Sequence, residues 1–169
     1  AAMGYKDVVE LLIAKGANVN ATDKNDLTPL YWAAAWGLKD VAELLIAKGA
    51  NGNATDNDGW TLLHGAALQG EKDIVELLIT NGANVNAATE YGRTPLYYAA
   101  ERGHKDVAEL LIAKGANVNA VDNDGYTPLY VAEFNGHKDV VELLIGKGAN
   151  VNAVEELFGD TPLHRAARV

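Results

Sequence analysis

No cysteine occurs among the 169 residues, so neither a disulfide framework nor a thiolate metal site is open to this chain, and its redox compartment leaves no mark on it. Proline is scarce at four residues, phenylalanine occurs twice and methionine once. No apolar run approaches the roughly 20 residues that a membrane-spanning helix needs. The N-terminus also lacks the basic segment and apolar stretch of a secretory leader. The chain is therefore expected to be soluble, with no membrane insertion; a cytoplasmic location fits, but the compartment stays open. Positive charge is in deficit, with 14 Lys and Arg against 23 Asp and Glu and a net charge of -9. With no basic cluster to offset that balance, a nucleic-acid partner is disfavoured.

What is present is a repeat. The stretch from Gly103, GHKDVAELLIAKGANVNA, has close copies from Gly4, Gly37, Gly70 and Gly136, and Asp7, Asp40, Asp73, Asp106 and Asp139 follow one another at intervals of 33 residues. A period between 20 and 50 residues marks stacked units rather than one closed domain. The division that follows is a single domain over 1–169, made of a partial repeat at 1–20, full repeats at 21–53, 54–86, 87–119 and 120–152, and a partial repeat at 153–169. Residue 1 falls late in a first helix, and the final TPLHRAARV stops near the point at which the chain begins.

Within the unit, Thr28-Pro29-Leu30 recurs from Thr94, Thr127 and Thr161, and as Thr61-Leu62-Leu63 in one copy, so all four prolines occupy one slot. Thr as N-cap followed by Pro at the first helical position is a helix start with a mechanism, because the cap accepts an orphan N–H and Pro has none to leave unpaired. Paired alanines such as Ala66 and Ala67 permit close helix packing. A second helix is expected over residues such as Asp7–Lys15, with Asp7 and Glu10 in capping-box spacing and Gly16 as its stop; Tyr5 falls in the turn before it. Between units lies a polar turn, in which Gly59, Gly92 and Gly125 occupy a position expected to need positive φ and Asp26 takes that place in the first copy. In the last copy, VEELFGD, an inserted residue moves the glycine to Gly159, and that turn should differ in shape.

The Thr-Pro-Leu starts, the glycine, the KDVVELLI-x-KGANVNA segment and the D-N-D-G turn together resemble ankyrin repeats, over virtually the whole chain. The resemblance implies an all-α repeat solenoid of antiparallel helix pairs with β-turn fingers projecting at about right angles, forming a concave groove. It also implies a protein-binding module that is not an enzyme and needs no cofactor. The histidine usual after Thr-Pro-Leu survives only as His64 and His164, with Tyr31, Tyr97 and Tyr130 in the other copies. Both a natural array and a designed binder of this family match the pattern; framework drift at Gly52, Leu62, Asn81 and Gly146 favours the natural one.

No set of titratable groups converges into a catalytic constellation. The four histidines sit at repeat-matched positions, which reads as scaffold hydrogen bonding. The Asp-Asn-Asp-Gly turns at Asp56 and Asp122 lack the alternating ligands and closing Glu of a calcium loop, so no metal is expected. The aromatics are more telling, since all 12 occupy slots that vary between copies. Trp60, Tyr126, Trp36 and Phe134 read as exposed contact residues, the first two because their slot also holds Leu27 and Arg93, Trp36 because its slot also holds Gln69 and Arg102. Tyr31, Tyr97 and Tyr130 read as packing beneath the finger. The slot shared by Trp32, Tyr98, Val131, Gly65 and Arg165 is open between core and surface.

By the resemblance, the candidate protein-binding residues are Leu27, Trp32, Trp36, Asn57, Asp58, Trp60, Leu68, Gln69, Glu90, Tyr91, Arg93, Tyr98, Glu101, Arg102, Asn123, Asp124, Tyr126, Phe134 and Asn135. Large rigid aromatics with a polar edge are the usual energetic anchors of protein interfaces. The expected state is a monomer binding a protein partner. The alternative is a scaffold segment of a longer array, with its aromatics buried against neighbours and no ligand of its own.

Overall fold

The computed structural model describes residues 3–154, 159 and 161–167. Its described residues form ten helices: α1 Met3–Ala14, α2 Pro29–Ala35, α3 Lys39–Ala47, α4 Leu62–Gln69, α5 Lys72–Thr80, α6 Pro95–Glu101, α7 Lys105–Ala113, α8 Pro128–Phe134, α9 Lys138–Gly146 and α10 Pro162–Ala166. Residues 155–158 and 160 of the altered last turn, Phe158 among them, lie outside the described residues, while Gly159 has positive φ as expected. Extended pairing among the described residues is limited to one isolated antiparallel bridge, Thr55 with Thr61.

The first helix of each unit starts where the Thr-Pro signal places it. The Thr28, Thr94 and Thr127 hydroxyls accept from the N–H groups of Tyr31, Tyr97 and Tyr130 at 3.1–3.3 Å. Thr61 accepts from His64 N–H, while His64 Nδ1 accepts from Thr61 N–H at 3.0 Å, a reciprocal cap that serves the copy without proline.

The second helices start differently from the sequence expectation. Their N-caps are Leu38, Glu71, His104 and His137, none of which makes a side-chain cap bond. Asp40, Asp73, Asp106 and Asp139 lie inside the first turn, where a carboxylate favours the positive end of the helix dipole rather than closing a box. Asp7 likewise lies inside α1. Tyr5 also belongs to α1, which runs unbroken from Met3. In the full copies the turn is fixed by bonds to a preceding first helix, such as His104 N–H to the Ala99 carbonyl at 2.9 Å. No first helix precedes α1 among the described residues, so nothing there draws the chain out of helix.

Helices pair within each unit, α2 with α3, α4 with α5, α6 with α7 and α8 with α9. Each layer then stacks on itself: α2, α4, α6, α8 and α10 form one row, and α1, α3, α5, α7 and α9 the other. The seam between the rows is filled by Leu30, Leu63, Leu96 and Leu129 from the first helices and Leu45, Leu78, Leu111 and Leu144 from the second, all essentially inaccessible. Each such leucine contributes on the order of 2 kcal/mol. Buried alanines, including Ala66, Ala67, Ala99 and Ala100, let the first helices approach closely. Val8 and Leu12 of α1 are each 55% exposed although their counterparts in the other copies are buried, because no first helix covers them among the described residues.

Asparagines tie unit to unit at the far edge. Asn20 Nδ2 donates to the Gly49 carbonyl at 3.0 Å and its Oδ1 accepts from Asn51 N–H at 2.9 Å. Asn86 and Asn119 make the same pair of bonds, each to the unit that follows its own. Asn53 keeps only the donor bond, to Gly82 at 3.3 Å, and it follows Gly52, which replaces the valine of the other copies. A Cβ at Gly52 would meet only the Leu78 side chain, at an ordinary 3.6 Å, and its φ is not positive. Gly52→Val is therefore expected to stabilise the fold by about 1 kcal/mol, from reduced unfolded-state freedom and added apolar burial. A denaturant midpoint at or below that of the parent protein would contradict this.

Candidate protein-binding surface

Each finger is built by a side chain folded back on its own backbone. Asp23 Oδ1 accepts from the N–H groups of Asn25 and Leu27 at 2.8 and 3.1 Å. Asp56 does the same for Asp58 and Trp60 at 3.0 and 2.8 Å, and Asp122 for Asp124 and Tyr126 at 3.1 and 2.9 Å. In the third copy Thr89 substitutes, accepting from Arg93 N–H at 3.3 Å. The amides of Asn25 and Leu27, aided by the Trp32 indole, hold the Asp23 carboxyl below its ordinary range. These aspartates hold their turns by accepting backbone N–H groups; among the described residues no group of three or more His, Cys, Asp or Glu is placed to hold a metal.

Neighbouring fingers are stitched by backbone. Glu90 N–H donates to the Asp58 carbonyl at 2.8 Å, and Asn123 N–H to the Tyr91 carbonyl at 2.9 Å. Such contact demands glycine at the tip: a Cβ on Gly59 would lie 3.1 Å from the Ala88 carbonyl oxygen, and one on Gly92 would lie 2.8 Å from Asn123 Oδ1. Gly59, Gly92 and Gly125 all have positive φ, and so does Asp26 at 61°.

The three internal finger junctions are filled by different chemistry. Between the second and third copies, fully buried His64 donates from Nε2 to the carbonyls of Ala87 and Arg93, both at 3.1 Å. Between the third and fourth, the Arg93 guanidinium lies over the Tyr97 ring at 5.0 Å and pairs with the buried Asp122 carboxylate, Nε to Oδ2 at 3.1 Å. Burial pushes the Tyr97 phenol well above its ordinary range and also raises that of Tyr98. Between the first and second, Tyr31 stands in the histidine slot, Leu27 in the arginine slot, and a cleft of about 400 Å3 remains open. His104 and His137 reach back over the preceding unit, each Nε2 lying 3.0 Å from a helix-end carbonyl, of Leu68 and Glu101 respectively.

The candidate contact residues separate into two groups. Trp36 is 71% exposed and Phe134 54%, and Tyr91 and Trp32 are also open to solvent, Trp32 with its indole N–H toward Asp23 at 3.3 Å. Asn57, Asp58, Gln69, Glu90, Arg102, Asn123, Asp124 and Asn135 are exposed, whereas Leu27, Leu68 and Glu101 are partly covered. Tyr98 is only 8% exposed and packs against the half-buried Trp60, ring centroids 4.7 Å apart. Tyr126, also half-buried, stacks on Tyr130 at 4.7 Å. Arg93 is turned inward to Asp122. Exposure expected for Trp60 and Tyr126 from slot variation is thus only partial, because their slot lies between a finger and the ring of an adjacent first helix. A second hollow of about 270 Å3 is lined by Tyr97, Tyr126, Tyr130 and Phe134, with Glu101 and Asn135 at its rim.

Paired short helices in two stacked rows, joined by projecting turns that bond to one another, define an all-α repeat solenoid. The family model for ankyrin repeats (3 copies) matches residues 1–89, 63–155 and 121–169. The chain belongs to the ankyrin repeat family, whose members act in general as protein-protein interaction modules rather than enzymes. No curated protein matches it. No helix among the described residues is long and apolar enough to cross a membrane.

His64 generates a pH prediction. Burial holds its imidazole below the ordinary value of 6.5, against the opposing pull of the two carbonyls and the Asp56 charge. The unfolded chain then binds more protons than the folded one below that value, so the stabilisation is complete above pH 6.5 and declines as pH falls through the lowered folded pKa. A urea midpoint measured at pH 7.5 and at pH 5 should fall more for the parent than for His64→Tyr, which installs the residue used by three other copies. Equal declines would remove His64 as the source.

Proposed function

We propose that this chain recognises a folded protein partner through the face formed by its fingers and first helices, acting as a monomer without catalysis or cofactor. The observation that carries the reading is the exposure of large aromatics in variable slots: Trp36 and Phe134 lie at the ends of first helices, with Trp32 and Tyr91 exposed as well. An apolar side chain of that size left in water on a framework able to bury it elsewhere favours an interface anchor. Around them the exposed Arg102, Glu90, Asp58 and Asp124 form a rim of mixed charge suited to specificity more than to affinity. The half-buried Trp60, Tyr126 and buried Tyr98 give that face rigidity. The net charge of -9 disfavours nucleic acid as the ligand.

Trp36→Ala and Phe134→Ala are expected to change stability by no more than about 0.5 kcal/mol, as surface substitutions do, yet to abolish partner binding when combined. Trp60→Ala removes a ring packed against Tyr98 and His64 and is expected to cost about 1 kcal/mol or more. Affinity capture from a lysate, read by mass spectrometry for the parent chain and the folded double variant, checks the first outcome. A protein retained only by the parent supports the groove; identical captures, or none, would favour a scaffold segment with no ligand of its own.

A further inference from the structure

Compared slot by slot, the first and third finger junctions share a design, but only one is filled. At the third, Arg93 enters between Tyr97 and Asp122, its guanidinium over the ring and its Nε on the carboxylate. The matching residues at the first are Tyr31 and Asp56, each two periods earlier, but Leu27 stands in place of the arginine. Asp56 uses Oδ1 to hold its own finger, and no hydrogen bond reaches its Oδ2 among the described residues. The junction also lacks the backbone stitch found at the other two, since Asn57 N–H makes no bond to the finger before it. Asp26 supplies the cause. Its Cβ occupies the tip where Gly59 and Gly92 leave no room for one, so the first and second fingers stand apart around the cleft of about 400 Å3. Leu27, Tyr31, Asp26, Asp56, Asn57 and Trp60 are among its lining, which contains no lysine or arginine.

We infer that this cleft receives an arginine side chain of the protein partner, in the manner in which the third junction receives Arg93. The Asp56 carboxylate and Tyr31 ring take the guanidinium, Asp26 adds negative charge at the mouth, and the unbonded Asn57 N–H offers the partner's backbone a donor. A planar guanidinium fits a carboxylate beside an aromatic face better than a compact ammonium does. The inference rests on the protein-binding reading above and names the chemistry that one part of that face selects.

The test is a titration of the isotopically labelled full chain with acetyl-Gly-Arg-Gly-amide and with its citrulline counterpart, which keeps shape but loses charge, followed by backbone amide shifts. The arginine peptide should shift Asn57, Asp58 and Trp60, and the citrulline peptide should bind about fivefold more weakly, as loss of a solvent-accessible charge pair implies. Leu27→Arg, which supplies the missing side chain from within, should raise the melting temperature and abolish the peptide shifts. Asp56→Asn should weaken them; if that variant loses its finger, Leu27→Arg decides alone. Equal shifts with both peptides, or shifts that survive in Leu27→Arg, would overturn the inference. The capture experiment is read independently: a partner lost from the Trp36 and Phe134 double variant with no arginine-dependent shift leaves the groove standing and removes the cleft, whereas the converse removes the groove alone.

Discussion

A helix of seven to nine residues does not hold itself together in water, and a unit of two such helices cannot cover both sides of its own leucines. Contact between adjacent units is therefore the interaction on which everything else in this chain depends. Leu63 and Leu96 are buried because alanines in both neighbouring first helices let those helices close over them, and the fingers hold their spacing because the helices beneath them are locked. Stability of this kind is close to a sum of unit and junction contributions, and each junction can be tuned without disturbing the next.

The junctions have been tuned differently. One is closed by a neutral, fully buried histidine bonded to two carbonyls, one by an arginine between a ring and a carboxylate, and one is left apart. The first finger consequently has fewer ties to its neighbour than the second has to the third. The face of fingers and first helices thus has a firm centre around Trp60, Tyr97 and Tyr98 and a more open edge around Tyr31. Local opening is expected to concentrate where backbone bonds across units are fewest.

Much of this was legible in the sequence because the repeat supplies its own internal comparison. The 33-residue spacing, the Thr-Pro starts and the positive φ at Asp26 all follow from residue type at a fixed slot. Asp40 and its counterparts were harder to place, since Asp-x-x-Glu spacing fits both a capping box and a first helical turn, and only the turn bonds after Gly37 and Gly103 decide between them. Tyr98 and Trp60 show the deeper difficulty. A slot that tolerates Leu, Trp, Arg and Tyr looks like surface, but here it lies between a finger and a ring on the next unit, so its burial depends on a residue about 38 positions away. Arg93 is the same case with charge: its inward course is set by Asp122, which no local pattern around position 93 reveals.

The asparagine bonds at the far edge carry a consequence for how such a chain changes over generations. Each spans 29 or 31 residues, from one unit to the next and no further. Cutting out one whole period, or inserting one, would sever a set of contacts and restore an equivalent set between the new neighbours. Length is thus a freely variable quantity for this architecture, and the average sequence distance between touching residues does not grow with it, so a longer descendant has no harder search for its fold. Recombination between copies can also move a whole finger junction, with its particular filling, to another place along the groove.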